Sequence, residues 1–273
     1  MIHFIKEIAS RRDLIRELVL KDLKIRYSRP MLGFFWAFLS PFLLVIIFYV
    51  VFSCILKGRI EEAPFFLYLM SAVFTWSFFA DSVASSATSL VNNKGLIRES
   101  GFPHYLIPLS IVLANAIVFL PSLIILTASS FFVLKGLPLT IVWLPVALFS
   151  HLIITIGFSV IFSIAYVRCR DIKYALDLIL TLLFYFTPAF YSLRLVKEAF
   201  PKPLFAAYIY NPFVGILNFY RTIILKGFRA FIAADVTFVN MAVVPFIFGL
   251  FVASFSLWLY ENQKDKINDY LSY

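Results

Sequence analysis

Reactive side chains are scarce in this sequence. It holds two cysteines, Cys54 and Cys169, and three histidines, His3, His104 and His151. The histidines are scattered, so no His/Cys cluster has metal-ligand spacing, and two cysteines give no disulfide framework. Charge is scarce as well. Only 14% of residues are Asp, Glu, Lys or Arg, against about 25% in soluble domains. Nine glycines are present, yet none falls in a phosphate-cradling loop, and G-x-x-x-x-G-K-[ST] does not occur. No nucleophile–base pair is visible. These absences exclude a soluble enzyme domain and a nucleotide-binding domain.

What the chain does have is apolar length. Of its 273 residues 62% are hydrophobic and 19% aromatic. Met31–Leu56, Phe102–Leu134, Gly136–Val167 and Val236–Tyr260 contain no Asp, Glu, Lys or Arg. Ala63–Asn93 contains Asp81 alone and Tyr174–Leu193 contains Asp177 alone. A bilayer core of ~30 Å needs roughly 20 residues of helix at ~1.5 Å each. Six stretches meet that length. They predict an all-α integral membrane protein with six transmembrane helices, at about 31–56, 64–90, 104–134, 140–167, 174–193 and 236–260. One membrane domain accounts for residues 1–273. Cys54 and Cys169 then fall near opposite faces and cannot pair within a chain. The first apolar stretch follows a long charged segment, unlike a cleavable signal peptide, so the N-terminus is expected to be retained.

Six crossings put both termini on one side. Lys and Arg choose which. Residues 1–30 hold eight, the second connection holds Lys94 and Arg98, the fourth holds Arg168, Arg170 and Lys173, and the tail holds Lys264 and Lys266. Fifteen lie on this side and nine on the other, six of those nine in the long 194–235 connection, where the rule counts less. Both termini are therefore expected in the cytoplasm. The net charge of +9 follows from this bias and does not point to nucleic acid.

Residues 1–30 predict an amphipathic helix at the interface. Glu17 precedes Lys21 by four and Asp22 precedes Arg26 by four, the favourable order. Leu14, Ile15, Leu18 and Val19 recur at helical spacing. Such a basic amphipathic helix lies along the membrane surface. It is either a topology anchor alone or also part of a partner-binding surface.

The 194–235 connection contains Leu204–Tyr220, apolar but interrupted by Asn211–Pro212 and Gly215. Pro212 removes a donor and restricts the residue before it, so a straight span is not expected. Two readings stand, a re-entrant pair of half-helices over about 196–225 or a pair lying on the surface. Broken backbone at membrane depth needs protein or water beside it.

Several side chains carry two readings each. Asp81 within a span is costly and by default functional; it either lines a cavity or is satisfied by the serines around it, with ion coupling a further reading. Ala80, Ala84 and Thr88, Ser82 and Ser86, and Ser85 and Ser89 are small-xxx-small pairs that let helices pack closely. The 33 Phe and 14 Tyr either anchor at the interfaces or offer flat faces to sugar rings. Tyr49, Tyr185, Tyr191 and Tyr210 are candidates for lining a path, with Asp81. Phe186 and Phe190, beside Thr187–Pro188, share that region. Arg221, with Lys226 and Arg229, either attracts an anionic lipid head group on the outer side or simply snorkels.

Taken in order, certain blocks resemble the membrane subunits of ABC-type polysaccharide exporters, the permeases for O-antigen, capsule and teichoic acid. They are Leu20-Lys-Asp-Leu-Lys-Ile-Arg-Tyr27 with Leu32-Gly-Phe-Phe-Trp-Ala-Phe-Leu-Ser-Pro41; Trp76-Ser-Phe-Phe79 through Ser89, Asn92, Leu96-Ile-Arg98, Phe102-Pro103, Leu106 and Pro108; Arg170-Asp-Ile172 with Thr187-Pro188 and Tyr191; and Asn211-Pro212 with Tyr220-Arg221. Each motif alone is weak, but their order and spacing run along nearly the whole chain. Ala72 stands where glycine is usual and Cys169 where an aromatic is usual; Asp81 is outside the pattern. The resemblance implies a homodimer in the bacterial inner membrane, paired with two copies of an ATPase subunit that binds ATP and Mg. It implies that Asn93–Gly101 includes a coupling helix, with Lys94, Gly95, Leu96, Ile97, Arg98 and Glu99 docking on that ATPase. It also implies re-entrant helices between spans five and six, a channel along the dimer interface, and a lipid-linked glycan as cargo. The chain would then need no cofactor of its own. Export of a drug or lipid by a related permease, or a membrane-embedded lipid-carrier enzyme, are the competing readings.

Overall fold

The computed structural model describes residues 2–27, 35–55, 63–97, 102–228 and 236–272. Among the described residues all regular structure is helical. Two N-terminal helices, α1 (Ile2–Ser10) and α2 (Arg12–Tyr27), precede α3 (Phe35–Tyr49), which runs on as a π-helical turn at Val50–Ile55. Next come α4 (Phe65–Ala87), the short α5 (Ser89–Asn92) and α6 (Lys94–Ile97), and α7 (Leu106–Val133). A 3-10 turn at Leu139–Trp143 leads into α8 (Leu144–Arg168), followed by α9 (Ile172–Phe186). The chain ends with α10 (Leu193–Ala199), α11 (Lys202–Ile209), α12 (Pro212–Ile224) and α13 (Val244–Ser272), the last entered through a π-helical turn at Val239–Val243.

Among the described residues four segments are long and apolar enough to cross a bilayer: Phe65–Ala87, Leu106–Val133, Leu139–Arg168 and Val239–Ile267. They match the second, third, fourth and sixth predicted spans. The first predicted span is only partly described, and its apolar helix Leu39–Ile55 is shorter than the other four. The fifth differs from expectation. A helix through 193 was predicted, but α9 stops at Phe186 after 15 residues, about 22 Å. The cause is Pro188, which holds Thr187 extended at φ −88°, ψ 150°. The sixth differs in the other direction: α13 does not end near 260 but continues to Ser272, with Lys264 bonding Glu261 at 2.7 Å.

The core is built on α4, where nearly every residue from Leu67 to Phe79 is buried. α8 and α13 pack closely because glycine sits at the crossing. A Cβ on Gly157 would lie 2.8 Å from Val252 Cγ1 and 2.9 Å from the Ala253 nitrogen. The small-xxx-small face is buried inside the chain at Ser82 and Ser86, while Ala80 and Ala84 pack with α8 and α9 residues Phe158, Phe162, Leu176 and Leu180. α9 buries only Leu176, Leu180 and Phe184, one residue per turn.

The 204–220 segment breaks where the sequence places the break. Pro212 opens α12 at its first turn, and Asn211 Oδ1 accepts from the Phe213 N–H at 2.9 Å as the cap. α11 leaves Leu204 and Tyr210 exposed, whereas every residue of α12 from Val214 to Ile224 is buried. Gly215 permits this: a Cβ there would run into the Asn240 carbonyl oxygen and approach Pro245 Cγ to 2.8 Å.

Candidate functional site

The N-terminal helices do not merely lie beside the bundle. Ile15, Leu18 and Val19 are buried with Leu14 beside them, and they share one apolar cluster with Ile97, Leu90, Leu106, Ile107 and Ile111. The predicted apolar stripe of α2 is thus spent on protein. Asp22 and Arg26 pair at 2.9 Å as expected. Lys21, expected to meet Glu17, instead donates to Asn93 Oδ1 at 3.0 Å. Arg26 also donates to Asn115 Oδ1 on α7 at 2.9 Å, and Tyr105 donates to Glu7 at 2.9 Å. Burial pushes the Asp22 carboxyl up, an effect that the Arg26 and Lys21 charges oppose.

The predicted coupling residues straddle the edge of what is described. Lys94 to Ile97 form α6; Arg98 and Glu99 lie outside the described residues. Lys94 and Gly95 are exposed, Leu96 is half-buried, and Ile97 is 2% exposed. α6 therefore presents a polar face while its last residue is rooted in the α2–α7 cluster. Between α2, α4, α5 and α7 lies a polar cavity of about 590 Å³, lined by Lys21, Asp22, Arg26, Ser85, Thr88 and Asn92 among others. Sequence reasoning missed Lys21, Arg26, Asn93 and Asn115 as one network. Asn115, polar within an apolar α7, was the signal available.

Asp81 is exposed on the flank of α4. The neighbouring serine does not satisfy its carboxylate, since Ser85 Oγ donates to the Asp81 backbone carbonyl.

The aromatic candidates divide. Tyr185 and Tyr210 are 52% and 55% exposed. Tyr191 is half-buried; its hydroxyl donates to the Tyr185 carbonyl at 3.0 Å and lies 3.1 Å from the Tyr208 hydroxyl. Tyr49 is packed against Phe65 and Phe66, with ring centroids 6.3 and 5.5 Å away. Its ring therefore serves as a contact between α3 and α4. On the exposed side of α9, Lys173, Asp177, Thr181 and Tyr185 follow at four-residue spacing. Lys173 and Asp177 pair at 2.5 Å.

Arg221 overturns its expectation. It is 0% exposed, so it cannot meet a lipid head group. Its guanidinium carbon sits 3.4 Å from the centre of the Tyr68 ring. Nε donates to Ser71 Oγ at 3.1 Å, and Nη2 donates to the Tyr68 and Ala189 carbonyls at 3.3 and 3.2 Å. Tyr68 in turn donates to the Tyr191 carbonyl at 2.8 Å. One buried arginine thereby ties α12, the start of α4 and the turn after α9. The companion Lys226 is exposed and donates to the Lys135 carbonyl at 3.3 Å; Arg229 lies outside the described residues. An arginine inside an otherwise apolar helix was the sequence signal, and its destination was not legible.

Residues 13–225 match the family model described as ABC-2 type transporter. An O-antigen export system permease protein, RfbA, of Klebsiella pneumoniae is 30% identical over 218 residues, covering 79% of this chain and 81% of the relative. The protein of the same name from Myxococcus xanthus is 28% identical, covering 82% and 84%. The polysialic acid transport protein KpsM of Escherichia coli is 20% identical, covering 78% and 82%. With a family model spanning residues 13–225 and helices fit for a bilayer, this chain belongs to the ABC-2 type transporter family.

Proposed function

We infer that the chain is the permease subunit of a polysaccharide exporter. The observation that carries this is the similarity, over about four-fifths of the chain, to permeases named for O-antigen export and for polysialic acid transport. We propose further that the cargo is a lipid-linked, O-antigen-like glycan, and that the chain sits in the bacterial inner membrane with both termini cytoplasmic. In this reading it acts as a homodimer with two copies of an ABC ATPase subunit, which binds ATP and Mg. The chain itself is a transport subunit and performs no hydrolysis.

Six crossings fit the helices, with α3 and α9 as the first and fifth and with α10 to α12 re-entrant. Support for re-entry comes from α12, whose buried length and capped start meet the requirement that a half-helix at membrane depth be enclosed by protein. α6 is the docking element. A push on its exposed face reaches α2 and α7, because Ile97 shares their apolar cluster and Asn93 holds Lys21. A path beside α9 is supported by the polar row Lys173, Asp177, Thr181 and Tyr185 on a helix that buries one residue per turn. Tyr185 and Tyr210 offer exposed rings to a sugar; Tyr191 positions Tyr185, and Asp81 adds an exposed carboxylate on α4. Tyr49 contributes packing rather than a free ring.

The test is reconstitution. Vesicles holding the purified subunit and its ATPase are given lipid-linked glycan, with and without ATP, and glycan on the far side is measured. Export only with ATP and with both subunits is expected. Export by the subunit alone, without ATP, would falsify the reading.

A further inference from the structure

An apolar groove of about 450 Å³ lies between α2, α7 and α8. α7 and α8 line it with apolar residues such as Ile117, Leu120, Leu148 and Leu152, and α2 lines it with two arginines, Arg12 and Arg16, beside Ile15 and Val19. The two sides differ sharply in chemistry. Arg12 and Arg16 are exposed, and among the described residues no other charged residue lines the groove. Asp13 lies 4.0 Å from Arg12 with both side chains more than four-fifths exposed, a pairing too solvated to neutralise it. Asp13 and Glu17 each sit about 100° further round α2 than the arginine before them, turned from the groove. Ile117 and Leu120 are 43% and 46% exposed, so the trough opens sideways, out of the bundle.

A trough apolar on its α4, α7 and α8 side, open sideways and cationic on its α2 side only, complements a molecule with one anionic head and an apolar tail. The volume falls within the range of small-molecule sites, about 300–1,000 Å³. The tail end runs from Leu113 to Leu120, about 10 Å along α7, and on to Leu148 of α8. α2 is the helix that the sequence places at the membrane surface, so its arginines stand at head-group level. We propose that this groove holds one anionic phospholipid of the surrounding bilayer, its phosphate on Arg12 and Arg16 and an acyl chain along α7 and α8. The lipid would then brace α2, and through Ile15 and Val19 of the groove wall it would brace the cluster that holds Ile97. The site is separate from the transport reading, since it requires only a bilayer.

The full-length chain, purified in mild detergent and stripped of lipid, is titrated with phosphatidylglycerol and with phosphatidylcholine of the same acyl chains, and bound lipid is counted by native mass spectrometry. Phosphatidylglycerol is expected to bind about thirtyfold more tightly, the order of effect of two arginines near one anionic head group. R12Q/R16Q should abolish the preference while leaving weak binding of both lipids. A116F, which fills the trough, should weaken both; L148W fills it from α8 if A116F does not elute as a single species. Equal binding by the wild type, a preference that survives R12Q/R16Q, or undiminished binding by both filled variants overturns the proposal. So does displacement of phosphatidylglycerol by a polyprenyl diphosphate, which would make the groove an entry for the transported lipid.

Discussion

The Arg221 knot and the α2–α6 seam both join distant parts of the chain through polar side chains, but in opposite environments. Arg221 is wholly buried, with its charge answered by a ring face, a hydroxyl and two carbonyls. In the seam the Lys21–Asn93 bond is exposed, Arg26 and Asp22 are part-exposed, and a polar cavity of about 590 Å³ lies beside them. Breaking a buried charge network strands its partners at about 3–5 kcal/mol, whereas an exposed pair is worth about 0–1 kcal/mol. The knot therefore behaves as a fixed frame. The seam is cheap to rearrange, as a mechanical input needs to be.

The contrast is open to breaking, and the largest effect is expected at the knot. Arg221→Ala leaves the Tyr68 and Ala189 carbonyls buried without their donor, and should cost about 3 kcal/mol or more, read as a fall in thermal midpoint and in monodisperse yield. Glycine contacts come next. Gly215→Ala drives a Cβ into the Asn240 carbonyl, and Gly157→Ala forces α8 from α13; each should cost about 1–3 kcal/mol by overpacking. The seam should respond less. Lys21→Ala should change stability by about 1 kcal/mol or less; in the proposed exporter it should lower ATP-driven export out of proportion to the melting change. If Lys21→Ala destabilises as much as Arg221→Ala, the distinction between frame and seam fails.

The smallest effects concern pH and an open surface. Burial raises Asp22 above its ordinary value of 3.8, so the folded state binds a proton more readily than the unfolded one. That contribution is present at low pH and is lost as pH rises through the raised value. Stability should thus slope downward across the carboxylate range, and Asp22→Asn should flatten the slope in melting curves taken at several pH values. Gly95→Ala adds a Cβ that meets nothing within 4 Å and should leave the melting midpoint unchanged or slightly raised through helix propensity of about 1 kcal/mol. A large loss there would show that Gly95 is not open in the folded protein.

Much of the fold was legible because hydrophobic length is a local property. Phe65–Ala87 and Leu106–Val133 lie within two residues or so of their predicted starts. Asn211–Pro212 announced its break through chemistry confined to two residues. The misjudged boundaries also have local causes seen too late: Pro188 ends α9 seven residues early, and α13 runs on because Glu261 and Lys264 support a helix outside an apolar run. Side-chain partners were not legible. Lys21 had a good helical partner in Glu17 and chose Asn93, 72 positions away.

By itself the sequence determined that this chain is helical, apolar enough for a bilayer, and poor in catalytic groups, because composition and periodicity settle how a chain meets its solvent. It also carried the ordered motifs that the family match bears out. Only tertiary structure decided what the charged residues are for. Arg221 and Arg26 look alike in sequence, each an arginine followed or preceded by tyrosine. One is buried on Tyr68 and the other bridges Asp22 and Asn115. A charge in a membrane protein takes its meaning from the partners that neutralise it, and those are brought together only by the fold.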